Sequence, residues 1–83
     1  MITADDIKSW IKAGLPESQV VFVKGDGRHF EAVVLCSVFN GKNRITRHRL
    51  VYDALGGRMG SDVHALSLKT YTLDEYKSQQ RGQ

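Results

Sequence analysis

FEAVVLCSVFNGKNRITRHRLVYDAL, residues 30–55, is the stretch whose reading decides the fold of this chain. Residues 30–38 read as a strand, because Val33, Val34, Leu35 and Val38 are large or β-branched and apolar, and no charge follows Glu31 within it. Asn40-Gly41-Lys42 then breaks the run, with Gly41 permitting a backbone turn that a side chain obstructs. Beyond the break, Asn43 or Thr46 can cap a helix whose Ile45, Tyr52 and Leu55, with Val51 beside them, form one apolar side. Lys42, Arg44, Arg47 and Arg49 point elsewhere.

The flanking segments read as cover for this strand–helix unit. Upstream, Thr3 with Asp5 and Asp6 is a helix start, a hydroxyl cap with carboxylates where the helix dipole favours them. Ile7, Trp10, Ile11 and Leu15 recur at helical spacing, and Gly14 and Pro16 end the helix. Residues 19–23 are β-prone, and the turn Lys24-Gly25-Asp26-Gly27-Arg28 joins them to the strand as an antiparallel hairpin, with His29 at its mouth. Downstream, the glycine-rich loop 56–62 is expected to be mobile. Residues 63–71 follow as a third strand, with His64, Leu66 and Leu68 on one side. Thr72 with Glu75 is a capping box opening a last helix from 73 to about 80, and the tail beyond 78 frays.

The order is therefore α-β-β-α-β-α. A right-handed parallel crossover joins the second and third strands, so the expected fold is α+β, a three-stranded mixed sheet with helices mainly on one face. Trp10, Phe22, Phe30, Phe39 and Tyr52 are assigned to its core.

Eighty-three residues suffice for one domain, 1–83. A composition of 41% hydrophobic and 25% charged residues is that of a soluble globule. The net charge of +3 permits a polyanionic partner, but dedicated nucleic-acid modules concentrate more charge on one face. No apolar run approaches the roughly 20 residues of a membrane span, and no basic stretch precedes an apolar segment as in a secretory signal. One cysteine cannot staple the fold, so a cytoplasmic location is expected. An enzyme is not expected: the chain has no nucleophile with a base at recognisable spacing, no paired carboxylates and no phosphate-binding loop motif.

Four segments in fixed order carry a resemblance to a known family. They are Gly25-Asp26-Gly27-x-His29-Phe30, Phe39-x-Gly41-Lys42-x-Arg44, Arg47-His48-Arg49-x-Val51-Tyr52-x-x-Leu55, and Val63-His64-Ala65-Leu66-Ser67-x-Lys69-Thr70-Tyr71-Thr72. Together, over about residues 10–77, they resemble the BolA family, in the branch represented by IbaG (YrbA). The resemblance implies an α-β-β-α-β-α fold akin to class II KH domains. It also implies a monothiol, CGFS-type glutaredoxin as partner, sharing a glutathione-supported [2Fe-2S] cluster in iron–sulfur trafficking or iron, redox and stress regulation. Some relatives are described as transcription regulators. Where the family usually has Thr-Pro and then a tryptophan, this chain has Thr72-Leu73 and Tyr76, a departure that affects the start and docking of the last helix.

His64 opens a strand directly after a loop, where a side chain can face solvent while its backbone is fixed. A lone histidine is most often a structural or surface residue, yet imidazole suits iron and brings no charge, and the resemblance makes His64 a cluster ligand. His29 taken alone can simply bond its turn; the resemblance makes it the second ligand, and two imidazoles on one iron are similar to the Rieske arrangement. Two ligands from this chain leave two thiolates to come from elsewhere, so a hetero-complex is expected and no cluster in the isolated chain. Cys36 shares an apolar strand face with Phe30, Ala32, Val34 and Val38 and reads as a small buried hydrophobe.

Lys42, Arg44, Arg47, His48 and Arg49 form the basic front of the middle helix, Arg44–Leu55. It is either a solvated face, a docking surface for glutaredoxin and its glutathione, or a phosphate-contacting surface for DNA or RNA. KH domains hold phosphates with a Gly-x-x-Gly turn. Here the turn is Gly41-Lys42-Asn43-Arg44, and the missing second glycine hinders close approach. A helix-turn-helix reading fails on its first element, which is a strand.

Overall fold

A computed structural model describes residues 2–58 and 65–81. The thread is α1 (Ala4–Gly14), β1 (Gln19–Gly25), β2 (His29–Leu35), α2 (Arg44–Leu55), β3 (Ala65–Tyr71) and α3 (Leu73–Arg81), with one-turn 3-10 segments at Ser37–Phe39 and Gly56–Arg58. This is the element order and α+β class expected from the sequence. The remainder of the loop 56–62 and the expected start of the third strand, His64 included, lie outside the described residues.

Local chemistry sets the ends of the helices. The Asp6 N–H donates to Thr3 Oγ1 at 3.1 Å and the Thr3 N–H to Asp6 Oδ2 at 2.9 Å, a reciprocal capping box. Asn43 Oδ1 caps α2 by accepting from the Thr46 N–H at 2.8 Å. Thr72 and Glu75 repeat the box at α3, at 2.9 and 3.2 Å.

The strands lie in the order β1-β2-β3. β1 and β2 pair antiparallel with an irregularity between Val20 and Phe22, and β2 and β3 pair parallel, from His29 with Ala65 to Leu35 with Tyr71. Phe30, Ala32, Val34 and Leu66 turn one sheet face onto Ile7, Ile11, Val51 and Leu55 of α1 and α2. Each of these side chains other than Ala32 contributes about 1.5–3 kcal/mol when fully buried. The two helices meet closely where Gly14 faces Ala54; a Cβ on Gly14 would lie 2.5 Å from the Ala54 Cβ.

Three core and boundary expectations are corrected. β2 stops at Leu35 rather than at 38: the chain enters a 3-10 turn that swings Phe39 fully into the core, a burial that continued alternation would deny it. Phe22 is 43% exposed, because it pairs with Val33 on the sheet face opposite α1 and α2. Ile45 is 70% exposed. The buried stripe of α2 runs through Arg47, Val51 and Leu55, and a residue two positions before Arg47 lies about 200° round the helix.

Candidate functional site

The hairpin turn fixes His29. Asp26 Oδ1 accepts from the backbone N–H groups of Arg28 and His29, both at 2.9 Å, and the Asp26 N–H donates to the His29 carbonyl at 3.2 Å. Gly27 takes φ 98°, which suits a residue without Cβ. Gly25 packs so closely that an added Cβ would collide with the His29 carbonyl oxygen and the Phe30 ring. The His29 imidazole itself is exposed, with Nδ1 3.9 Å from Asp26 Oδ2. Hydrogen bonds from the His29 and then the Arg28 backbone hold the Asp26 carboxyl below its ordinary pKa, so it is ionised. The separation of Nδ1 from the carboxylate is longer than a hydrogen bond, so the carboxylate is committed to the turn backbone and the ring stays open to solvent.

His64 lies outside the described residues. Its chain neighbour Ala65 is described, and it is the register partner of His29; the Ala65 N–H donates to the Arg28 carbonyl at 3.2 Å. Among the described residues no group of three or more His, Cys, Asp or Glu side chains could hold a metal ion. Cys36 is 3% exposed within the core cluster, so its thiol is not presented to an outside metal. One exposed imidazole on a fixed backbone, whose strand partner adjoins a second histidine, fits a shared centre that draws its remaining ligands from another molecule.

The five basic-front residues divide. Lys42, Arg44 and Arg49 are exposed. Arg47 is spent inside the fold: its Nη1 and Nη2 donate to the two Glu75 carboxylate oxygens at 2.6 and 2.9 Å, its Nε to the Lys42 carbonyl at 2.8 Å, and Nη1 also to the Thr70 carbonyl at 3.3 Å. Its side chain is 11% exposed and lies 5.9 Å from the Phe39 ring centroid. Arg47 holds the Glu75 carboxyl down to about 2, with the Thr72 backbone N–H second, and Glu75 in turn raises Arg47. His48 is half-buried, and its Nε2 is buried without a hydrogen-bond partner among the described residues. Burial, then the neighbouring Arg44 charge, pushes its pKa down.

Two roles are not evident from the sequence pattern. Asp26 reads as a turn residue; its signal is the Asp-Gly-x-His spacing, which lets one carboxylate accept from backbone N–H groups two and three residues on. The Arg47–Glu75 pair spans 28 residues and carries no local signal.

Comparison with known proteins gives a consistent result. The family model described as BolA-like protein matches residues 8–75. A solved BolA protein homologue from Coxiella burnetii is 65% identical, with a TM-score of 0.88 over 93% of this chain and 99% of that one. The acid stress protein IbaG of Escherichia coli K12 is 36% identical over 70% of each chain. The DNA-binding transcriptional regulator BolA of the same organism is 38% identical over 68% of this chain, which spans only 53% of that protein's length.

Proposed function

The chain belongs to the BolA-like protein family, and from that premise we propose that it is an adaptor that binds a monothiol, CGFS-type glutaredoxin and shares a glutathione-supported [2Fe-2S] cluster with it. One observation carries this reading. An exposed imidazole, backed by an ionised Asp26, stands at the start of β2 in register with the residue next to His64. In this reading His29 and His64 hold one iron, and the partner and glutathione supply thiolates. The cluster, when bound, supplies an iron centre whose lability and potential respond to redox state and to imidazole protonation. The chain's own contribution is positional: Asp26 fixes the His29 backbone, and the ring is left exposed to a partner.

Mixing the protein with a CGFS-type glutaredoxin, glutathione, iron and sulfide is expected to give a chromophore distinct from that of the glutaredoxin homodimer. His29→Ala and His64→Ala should each alter the visible spectrum. An unchanged spectrum in either variant removes that ligand assignment, and the lack of any complex removes the adaptor reading.

A second reading, nucleic-acid binding, draws on relatives named as DNA-binding regulators and on the exposed Lys42, Arg44 and Arg49. The inward commitment of Arg47 weakens it. It predicts that Arg49→Ala lowers affinity for DNA or RNA and reduces the salt slope by about one; no binding at moderate salt removes it.

A further inference from the structure

The chain holds a single Asn-Gly step, Asn40-Gly41, in the turn that carries β2 into α2. The backbone N–H groups around it are engaged: Phe39 donates to the Cys36 carbonyl at 3.1 Å, Asn40 to Ser37 at 3.1 Å and Lys42 to Phe39 at 3.0 Å. Of this run of four, only the Gly41 N–H has no acceptor among the described residues, and the Asn40 side-chain amide bonds to none of them either. Asn40 at φ −59°, ψ 129° and Gly41 at φ 76° make a type II turn. Both residues are exposed, and nothing lies within 4 Å of the place a Gly41 Cβ would take.

Joining the Gly41 nitrogen to Asn40 Cγ closes a five-membered imide. The N–Cγ bond forms, the bond from Cγ to the amide nitrogen breaks, and ammonia leaves with the proton that the Gly41 nitrogen gives up. Water then opens the imide at either carbonyl, giving aspartate or isoaspartate. At ψ 129° the Gly41 nitrogen points away from Cγ, so the Cα–C bond of Asn40 must rotate first; that breaks the one Lys42–Phe39 hydrogen bond, and a glycine lets φ follow. The two comparable positions are shielded. Asn43 Oδ1 is held by the Thr46 N–H at 2.8 Å, and the residue after Asn43 is Arg44, whose Cβ crowds the attacking nitrogen. Asp26-Gly27 has an ionised carboxylate, a poorer electrophile than an amide, and its Oδ1 already accepts from two backbone N–H groups.

We propose that Asn40 is a site of spontaneous covalent modification, at which the Gly41 nitrogen displaces the side-chain amide and water leaves aspartate or isoaspartate just ahead of Lys42 and Arg44. The product lowers the net charge of +3 by one, within the turn that leads into the basic front. Isoaspartate also adds one backbone carbon to the turn that seats Phe39 in the core and offers the Lys42 carbonyl to Arg47. The site uses neither His29 nor His64, so it stands or falls apart from the adaptor reading.

Ageing the full chain in warm, mildly alkaline buffer made with heavy-oxygen water tests it. Fragment-ion mass spectrometry should find heavy oxygen taken up at residue 40 while Asn43 keeps its amide, and the aged chain should elute earlier from a cation exchanger. Asn40→Gln, whose ring closure is six-membered and slower, should cut the uptake at residue 40 at least about tenfold. The position is exposed, so the variant is expected to fold, which its thermal melt checks. A folded chain that keeps Asn40 intact overturns the proposal; conversion of the guanidinium-unfolded chain under the same conditions would then show that the turn protects the amide. Equal uptake at Asn43 overturns it too, since the reaction would owe nothing to the free Gly41 nitrogen.

Discussion

Replacing Arg47 with alanine should unfold this protein more readily than removing any other basic residue of α2. Arg47 ties the start of α2, the end of β3 and the first turn of α3 through four hydrogen bonds, and its side chain is 11% exposed. A Glu75 carboxyl held at about 2 instead of 4.5 sets an upper bound of ~3.4 kcal/mol on the pair, at about 1.36 kcal/mol per pH unit. Glu75 is 45% exposed, and solvent screening lowers that to roughly 1–1.5 kcal/mol. Losing the bonds to the Lys42 and Thr70 carbonyls adds about 0.5–1 kcal/mol each. The expected total is ~2–3 kcal/mol, a fall in Tm of about 10 °C or more in a domain of this size. Urea unfolding of Arg47→Ala beside Arg49→Ala measures it, since the exposed Arg49 should change stability by no more than about 0.5 kcal/mol. A double-mutant cycle with Glu75→Gln should return roughly 1 kcal/mol of coupling. If Arg47→Ala unfolds within about 0.5 kcal/mol of Arg49→Ala, the bridging role is refuted.

Three further outcomes follow from the same contacts. Glu75 binds its proton more weakly folded than unfolded, so the pair's stabilisation is full above 4.5 and is lost as pH falls toward 2; Glu75→Gln should flatten acid unfolding curves over that interval, and an unaltered curve contradicts the pairing. His48 is likewise depressed, from 6.5, so its neutral form contributes stability that is complete above 6.5 and declines as pH drops through its folded pKa; His48→Gln should remove that decline, and NMR titration of the ring locates the pKa directly. Gly25→Ala should cost about 1–3 kcal/mol by overpacking against the His29 carbonyl and Phe30 ring and should shift the His29 resonances, whereas wild-type stability would show that the turn yields.

No helix among the described residues is long and apolar enough to cross a membrane. The open sheet face around Phe22, Val33, Lys69 and Tyr76 carries a concavity of about 420 Å³.

Short-range chemistry was legible in the chain itself. Capping residues, helical and strand periodicity and the glycine turn each act within about four positions, so Thr3, Asn43, Thr72 and the run from Phe30 to Leu35 announced α1, α2, α3 and β2 without reference to anything distant. The exposed His29 at the hairpin mouth was legible for the same reason. What the sequence left open depended on which surfaces meet. Ile45 and Arg47 sit two positions apart on one helix, and only the docking of α1, β3 and α3 decides that the arginine turns inward while the isoleucine faces water. Phe22 fell on the uncovered sheet face, and Phe39 was drawn inward by a turn that periodicity does not encode. The register of β3 on β2 exists only once residues 36 positions apart, such as His29 and Ala65, lie side by side. Pattern determines which elements form; the competition among their faces for one small core determines which charges remain to meet a partner.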